Sequence, residues 1–174
     1  MNLPDEARFT EIFGRHRSAV LLYCRRRVGA DQADDLMEEV FLTVWRRIDQ
    51  APATPDALPW LYRICLLVAS NHWRGVARRW RLESKLQMLA TGSTNLPGDQ
   101  LVVREEVNTV VQLLGEMRSP DADILRLAGE ELDTNEIAIA LDISPAAASQ
   151  RLCRARKRLT ALYAKKTRGF LALL

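Results

Sequence analysis

Histidine residues are scarce in this sequence, and so are glycine-rich loops. Both shortages argue against catalysis. The chain of 174 residues has only two histidines, His16 and His72, and eight glycines. No glycine-rich phosphate loop follows a strand, and no carboxylate–histidine spacing suggests a metal site. We therefore predict that the protein is not an enzyme, that it needs neither a metal nor a cofactor, and that it has no small-molecule substrate.

Cysteine and long apolar runs are scarce as well. Cys24, Cys65 and Cys153 are far apart in the sequence and show no CxxC spacing, which favours reduced thiols packed as small hydrophobic side chains over a disulfide framework or a zinc site. No apolar run approaches the roughly 20 residues needed to span a bilayer, and residues 1–10 lack the layout of a signal peptide. These absences predict a soluble protein of the cytoplasm.

The alternation of apolar and polar residues that marks a β-strand is almost absent, and apolar residues recur instead at spacings of three and four. This periodicity predicts an all-α fold. We expect helices to begin at Pro4, to run over residues 32–49 and 59–89, and to resume near residue 101, with Pro52, Pro55 and Pro59 defining an irregular loop. The composition of residues 90–104 predicts a flexible linker between two small helical domains, residues 1–89 and 105–174.

Charge is distributed unevenly along the chain, although the net charge is only +3. Residues 105–142 contain ten acidic and two basic residues, whereas residues 149–168 contain eight basic residues and no acidic one. A basic block of this kind is typical of proteins that bind phosphate backbones. A solvated helix face is the alternative interpretation of the block.

The basic block overlaps a pattern of two consecutive helices. Asp133, with Glu136 three residues later, predicts a capping box at a helix start, and Ser144-Pro145 predicts a second start. Asp142 lies in the turn between them, where a left-handed backbone suits Asp better than most residues. One side of the second helix carries Ala148, Leu152, Ala155 and Leu159, and the other carries Gln150, Arg151, Arg154 and Arg158. This pattern predicts a helix-turn-helix whose second helix enters the major groove, with a plain helix pair in a bundle as the alternative.

The N-terminal half carries two further patterns. Asp35, Glu38 and Glu39 lie beside an apolar stripe on a predicted helix, and exposed acids favour a basic protein partner over DNA. Basic and aromatic residues are then interleaved from Trp60 to Arg81. Such a segment is typical of single-stranded DNA binding, because arginine neutralises phosphates and aromatic rings stack on unpaired bases. Core packing is the alternative for any one of its tryptophans.

At these residues the chain resembles the sigma-70 superfamily of RNA polymerase sigma factors, specifically the small extracytoplasmic-function (ECF) class. Residues 35–45 (DLMEEVFLTVW) are similar to the D-L-x-Q-E-x-F-x-x-x-W pattern of that class, and residues 59–64 to its P-W-L-x-x-I segment. Residues 136–144 and 151–159 are similar to its E-I-A-x-x-L-x-I-S and R-L-x-R-A-R-x-R-L patterns. The resemblance covers essentially the whole chain, with the motifs in the same order.

The resemblance implies a transcription initiation factor, which binds core RNA polymerase through the β′ clamp helices and the β flap, binds promoter DNA, and is held inactive by an anti-sigma factor, often at the membrane. It implies polymerase docking by Asp35, Glu38, Glu39 and Trp45. It implies −10 binding and promoter melting by the loop of residues 46–58 and by Trp60, Arg63, Asn71, His72, Trp73, Arg74, Arg78 and Arg79. It implies −35 recognition by Ala147, Ser149, Gln150, Arg151, Arg154 and Arg158. No promoter sequence follows, because residues 146–150 (AAASQ) depart from the class pattern.

One other function stays open on the sequence alone, a helix-turn-helix transcriptional regulator that acts without docking on polymerase. Its N-terminal half would then serve as a dimerisation or ligand domain. The two functions are separable, because a sigma factor binds core polymerase tightly and supports transcription from specific start sites. A free regulator binds duplex DNA alone.

Overall fold

A computed structural model describes residues 3–71 and 105–171, and within these ranges every α-helix predicted from the sequence periodicity has a counterpart and no strand occurs. The helices are α1 (Leu3–Val28), α2 (Ala33–Arg46), α3 (described over residues 57–71), α4 (Glu105–Glu116), α5 (Ser119–Ala128), α6 (Thr134–Leu141) and α7 (Pro145–Leu171). The chain divides into two compact units, Met1–Gln100 and Leu101–Leu174. The all-α prediction is confirmed, and the predicted linker lies outside the described residues. None of the described helices is both long and apolar enough to cross a membrane.

The boundaries of α1 follow from residues at its two ends. Pro4 occupies the first turn, where its missing N–H costs nothing, and Asp5 and Glu6 lie near the positive end of the helix dipole. The helix ends before Gly29, whose φ of 88° is a left-handed conformation that glycine adopts without strain. The Gly29 N–H donates to the Arg25 carbonyl at 3.0 Å, which gives one of the last helix carbonyls a partner.

An aromatic cluster fixes α2 on α1 in the first unit. The ring of Phe9 meets those of Trp45 and Phe41 edge to face, with centroids 5.3 and 6.2 Å apart, and Phe13 meets Phe41 at 4.8 Å. Edge-to-face contact at these distances is favoured for aromatic pairs. The buried residues of the first unit include Ile12, Val20, Tyr23, Leu36, Val40, Val44, Leu61, Tyr62 and Ile64. This packing decides which face of α2 remains in contact with solvent.

Two of the three cysteines meet in the same core. Cys24 of α1 and Cys65 of α3 are fully buried, and a hydrogen bond joins their side chains. Burial raises the pKa of the Cys65 thiol well above its usual value, and the hydrogen bond from Cys65 lowers the pKa of Cys24. The expectation of small packed thiols is therefore right for these two. It is wrong for Cys153, which is exposed on α7 because it lies on the side of the helix away from the core.

The connection between α2 and α3 is longer than predicted. α2 ends at Arg46 rather than at residue 49, because Arg47 adopts a φ of −122° and a ψ of 24°, outside the helical region. Two 3-10 turns follow, Ile48–Gln50 and Thr54–Asp56. α3 then begins at residue 57 rather than at Pro59. We refer to the connection, residues 47–56, as the 47–56 loop.

In the second unit, α7 packs on α4, α5 and α6. Its buried residues include Leu113, Ala122, Ile124, Leu127, Ile137, Ala138, Ala140, Ala148, Leu152 and Ala155, and the many alanines allow close approach between helices. α5 begins at Ser119, with Arg118 as its cap residue. The Ser119 hydroxyl donates to the Asp123 carboxylate at 2.9 Å and so does not cap the helix.

Candidate nucleic-acid interface

Local hydrogen bonds define the helix-turn-helix formed by α6 and α7. Asp133 Oδ1 accepts from the Glu136 N–H, and Glu136 Oε2 accepts from the Asp133 N–H, each at 2.8 Å. The predicted capping box is thereby confirmed. Asp142 ends α6 with a φ of 57° and a ψ of 48°, the left-handed conformation expected for it. The Ser144 hydroxyl accepts from the Ala147 N–H at 3.2 Å at the start of α7, so the turn between the two helices is only residues 142–144.

One side of α7 is buried and the other faces solvent. Ala148, Leu152 and Ala155 are buried, as their spacing predicts. The exposed residues on the opposite face include Gln150, Cys153, Arg154 and Lys157, at the i, i+3, i+4 and i+7 spacing of a single helix face. We call these four residues the basic face of α7. Its side chains offer two cations and an amide to a partner, which suits phosphate and base edges.

The six side chains implied for −35 recognition do not share one environment. Exposed positions are Ala147, Ser149, Gln150, Arg154 and Arg158, whereas Arg151 is half-buried. The guanidinium of Arg158 contacts the carboxylate of Asp121 in the first turn of α5. The Arg158 side chain is 59% exposed and that of Asp121 13%, and the contact places Arg158 on the flank of α7 nearest α5. Of the six, Gln150 and Arg154 are the ones that belong to the basic face.

Sequence reasoning missed three exposed residues of α7. Cys153 and Lys157 complete the basic face, and Arg156 is exposed beside it. The signal was available in the sequence, because the buried positions 148, 152 and 155 define the inner side of the helix and so define its opposite.

The docking residues implied by the resemblance divide between surface and core. Asp35, Glu38 and Glu39 of α2 are all exposed, and we call these three residues the acidic face. Trp45 is half-buried and its ring lies 5.3 Å from that of Phe9. The structure therefore places Trp45 in the aromatic cluster that supports α2, while the three carboxylates remain accessible to a partner.

The residues implied for −10 binding are only partly described. His72, Trp73, Arg74, Arg78 and Arg79 lie outside the described residues. On α3, the side chains of Trp60 and Arg63 are half-buried and that of Asn71 is exposed. The 47–56 loop comes immediately before α3 and is therefore next to the first turns of this helix.

Two family models match the chain, one in each of its compact units. The model for Sigma-70 region 2 matches residues 12–79, which include the acidic face, the 47–56 loop and α3. The model for Sigma-70, region 4 matches residues 108–159, which include the helix-turn-helix. This chain belongs to the sigma-70 family. The match of the N-terminal half to region 2 gives no support to a regulator that acts without polymerase.

Relatives across nearly the whole length are sigma factors too. The RNA polymerase sigma factor NccH of Alcaligenes xylosoxydans xylosoxydans is 28% identical over 165 residues, covering 91% of this chain and 88% of its own. The ECF RNA polymerase sigma factor SigW of Bacillus subtilis is 25% identical, covering 89% and 88%. The structure of the sigma factor RpoE with the anti-sigma factor NepR from Bartonella quintana matches with a TM-score of 0.61 at 16% identity, covering 90% and 96%. The sigma factor described here is of the ECF class.

Proposed function

We propose that this sigma factor starts transcription by binding core RNA polymerase with its first unit and the −35 element with its second. The observation that carries the proposal is the presence, in one chain, of an exposed acidic face on α2 and an exposed basic face on α7, each inside its matching sigma-70 region. DNA repels the first face and attracts the second. The two faces therefore select different partners, and the protein itself acts as an initiation factor without catalysis.

We assign polymerase docking to the acidic face. Its three carboxylates are exposed, whereas Leu36 and Val40 of the same helix are buried. A rigid helix that presents like charges to solvent suits a basic protein surface, because complementary charge speeds encounter and excludes wrong partners. The β′ clamp helices and the β flap are the polymerase elements that we expect the sigma factor to contact.

We assign −10 recognition and strand separation to the 47–56 loop and α3. Moving a base out of the stack costs a few kcal/mol, so the surface that receives it must already be shaped. The two 3-10 turns give the loop a defined backbone. Trp60, Arg63 and Asn71 would add stacking and phosphate contacts beside it.

We assign −35 recognition to the basic face of α7. Gln150 can form a bidentate pair with adenine, and Arg154 with guanine. Lys157 lies one turn further along the same face and is suited to a phosphate. The turn at residues 142–144 sets the direction of α7 relative to α6, as recognition in the major groove requires.

An anti-sigma factor is a further proposed partner. The similar sigma factor RpoE was solved with the anti-sigma factor NepR. We propose that a protein of this kind masks the acidic face until a signal releases it, and that the sigma factor works in the cytoplasm or is held at the membrane by that protein.

Transcription in vitro tests the proposed function directly. The sigma factor is combined with core polymerase and genomic DNA fragments, and the transcription start sites are mapped. We expect initiation at discrete sites that share sequence elements at the −35 and −10 positions. Failure to associate with core polymerase, in the absence of any inhibitor, would reduce the protein to a DNA-binding module and overturn the proposal.

The docking assignment is tested by Glu39→Lys. Reversing one charge of the acidic face should weaken core-polymerase binding by about tenfold, because a basic partner would then meet a like charge. Affinity is measured with labelled sigma factor and core enzyme. Glu11→Lys makes the same charge change at an exposed position of α1 and should have little effect. Equal affinities of the two variants would contradict the assignment.

A further inference from the structure

The 47–56 loop is tied to α1 through its own backbone carbonyl groups. Its two 3-10 turns are joined by extended backbone, with a ψ of 134° at Ala51 and of 145° at Ala53. Extended backbone in a single strand makes no hydrogen bonds within itself, and buried carbonyls require partners. Ala51 and Thr54 are both buried. Side chains of α1, which lies far away in the sequence, contact the carbonyl oxygens of both residues.

Arg8 of α1 contacts the first half of the loop. Its guanidinium donates to the carbonyl oxygen of Ala51, and to that of Pro52 at 3.4 Å. A guanidinium is suited to this position because it carries several donors in one plane. Hydrogen bonds from a charged donor are stronger than neutral ones. Arg8 thereby fixes the extended backbone between the two turns.

His16 of α1 contacts the second half. Its Nε2 lies 2.7 Å from the carbonyl oxygen of Thr54, and each of the two residues is only 6% exposed. Nε2 must carry the hydrogen, since a carbonyl oxygen can only accept. At a rise of 1.5 Å per residue, His16 lies about 12 Å from Arg8 along the helix axis. The two side chains therefore hold the loop at two separate points.

The opposite side of the loop faces solvent. Its exposed residues are Arg47, Asp49, Gln50, Ala53, Pro55 and Asp56. Arg47 could neutralise a phosphate, and the Gln50 amide could pair with a base edge. The loop thus has an inner side tied to α1 and an outer side whose polar groups are accessible to DNA.

We propose that Arg8 and His16 are positioning residues for promoter opening, which fix the 47–56 loop so that its outer side receives the unpaired −10 strand without rearrangement. The inference rests on the proposed function, because it takes the loop to contact the −10 element. A surface ordered beforehand binds more tightly than one ordered on binding, since the cost of ordering is already met in the free protein. Both residues act through the loop backbone and touch no DNA themselves.

Four variants test the proposal in the full-length protein bound to core polymerase. His16→Leu fills the buried position with an apolar side chain but removes the donor, whereas His16→Gln retains an amide donor in a similar place. Arg8→Ala removes the other contact, and Arg15→Ala removes a positive charge from an exposed position of the same helix as the matched control. Two affinities are measured, that of each variant for core polymerase and that of each holoenzyme for a single-stranded oligonucleotide with the mapped −10 sequence.

We expect His16→Leu and Arg8→Ala to weaken oligonucleotide binding by about tenfold, the effect of losing a hydrogen bond that orders the site. Affinity for core polymerase should stay unchanged, and His16→Gln should recover most of the lost binding. Arg15→Ala should behave as the unchanged protein does. A general weakening of the fold would instead lower both affinities, and the glutamine variant would not rescue one of them selectively.

The result that would overturn the inference differs from the result that would overturn the proposed function. The inference is wrong if the unchanged holoenzyme binds the oligonucleotide and both His16→Leu and Arg8→Ala bind it equally well. It is also wrong if His16→Gln is no better than His16→Leu. If His16→Leu does not fold, Arg8→Ala, judged against Arg15→Ala, decides the outcome. Failure of the unchanged protein to give specific transcription with core polymerase would overturn the proposed function itself.

Discussion

The helix-turn-helix of the second unit and the 47–56 loop of the first both depend on short irregular connections, but different contacts hold them. The capping-box partners in the helix-turn-helix are three positions apart in the sequence. By contrast, Arg8 and Ala51 are 43 positions apart, and His16 and Thr54 are 38 positions apart. The short-range contacts need only the first turn of one helix, whereas the contacts of the loop require α1 to be packed against it. One connection is thus encoded locally and the other by the fold.

α2 and α7 show a second difference between the units. Each helix buries one apolar side, and the packing rules on that side are the same. The exposed sides carry opposite charge, with carboxylates on α2 and cations on α7. Packing therefore determines which residues are exposed, and the charge of the exposed residues determines which kind of partner they attract.

Cysteine reactivity should show the largest difference between the two units. Cys153 is exposed in the second unit, whereas Cys24 and Cys65 are fully buried in the first. Modification of the buried pair requires local opening of the core, so we expect rates about a thousandfold slower, and the raised pKa of Cys65 slows its reaction further because the thiolate is the reactive form. A thiol-reactive dye followed by mass spectrometry gives the sites and rates. Rapid modification of more than one thiol in the native protein would contradict the buried pair, and denaturant should release all three.

Phe41→Ala should give the next largest effect, a loss of stability that is limited to the first unit. Phe41 is 4% exposed and contacts Phe9 and Phe13, so its removal should lower the free energy of unfolding by about 3–5 kcal/mol. All four tryptophans lie in the first hundred residues, so tryptophan fluorescence during urea unfolding reports on that unit. Leu42→Ala, at a position 56% exposed on the same helix, should change the free energy by less than about 0.5 kcal/mol. Similar losses in the two variants would refute the assigned core.

Arg154→Ala and Arg158→Ala compare the contributions of the basic face of α7 and of its flank to −35 binding. Arg154 belongs to the basic face, and its loss should weaken −35 binding by about 1–3 kcal/mol if it contacts a base. Arg158 contacts Asp121 and lies towards α5, so its loss should have a smaller effect. Binding of the holoenzyme to matched and mutated −35 sequences is the measurement. A uniform loss for Arg154→Ala across all sequences would identify a phosphate contact, and a larger loss for Arg158→Ala would reverse the assignment.

Asp133→Ala should produce the smallest effect and lower the free energy of unfolding by about 1 kcal/mol. The substitution removes the side chain that accepts a hydrogen bond from the Glu136 N–H at the start of α6. Chemical unfolding followed by circular dichroism measures it. Asn135→Ala changes an exposed position in the first turn of the same helix and is the control. If the two variants are equally stable, the capping box contributes nothing.

Features that depend on neighbours in the sequence were predicted correctly. The capping box at Asp133, the left-handed Asp142 and the start of α7 at Pro145 each follow from the chemistry of three or four consecutive residues. The burial of Ala148 and Leu152 follows from helical spacing in the same way. The fold class and the position of the helix-turn-helix are therefore consequences of local sequence patterns.

Features that depend on distant residues were missed. Neither the contact of Cys24 with Cys65 nor the ion pair of Arg158 with Asp121 leaves a trace in the local pattern. The early end of α2 was missed as well: residues 47–49 are compatible with a helix by composition, but Arg47 leaves the helical region and Ile48–Gln50 forms a 3-10 turn. Spacing alone also could not show that Arg151 is half-buried.

The sequence by itself determined that this protein is helical, where most helices start, and that carboxylates lie along one helix of the N-terminal half and cations along the last helix. These properties arise from periodicity, capping and charge, which act over a few residues. Only the tertiary structure decided that Arg8 and His16 hold the 47–56 loop, that the Trp45 ring packs against Phe9, and which cations of α7 face solvent. Such contacts join residues tens of positions apart, and their partners are known only once the helices have packed.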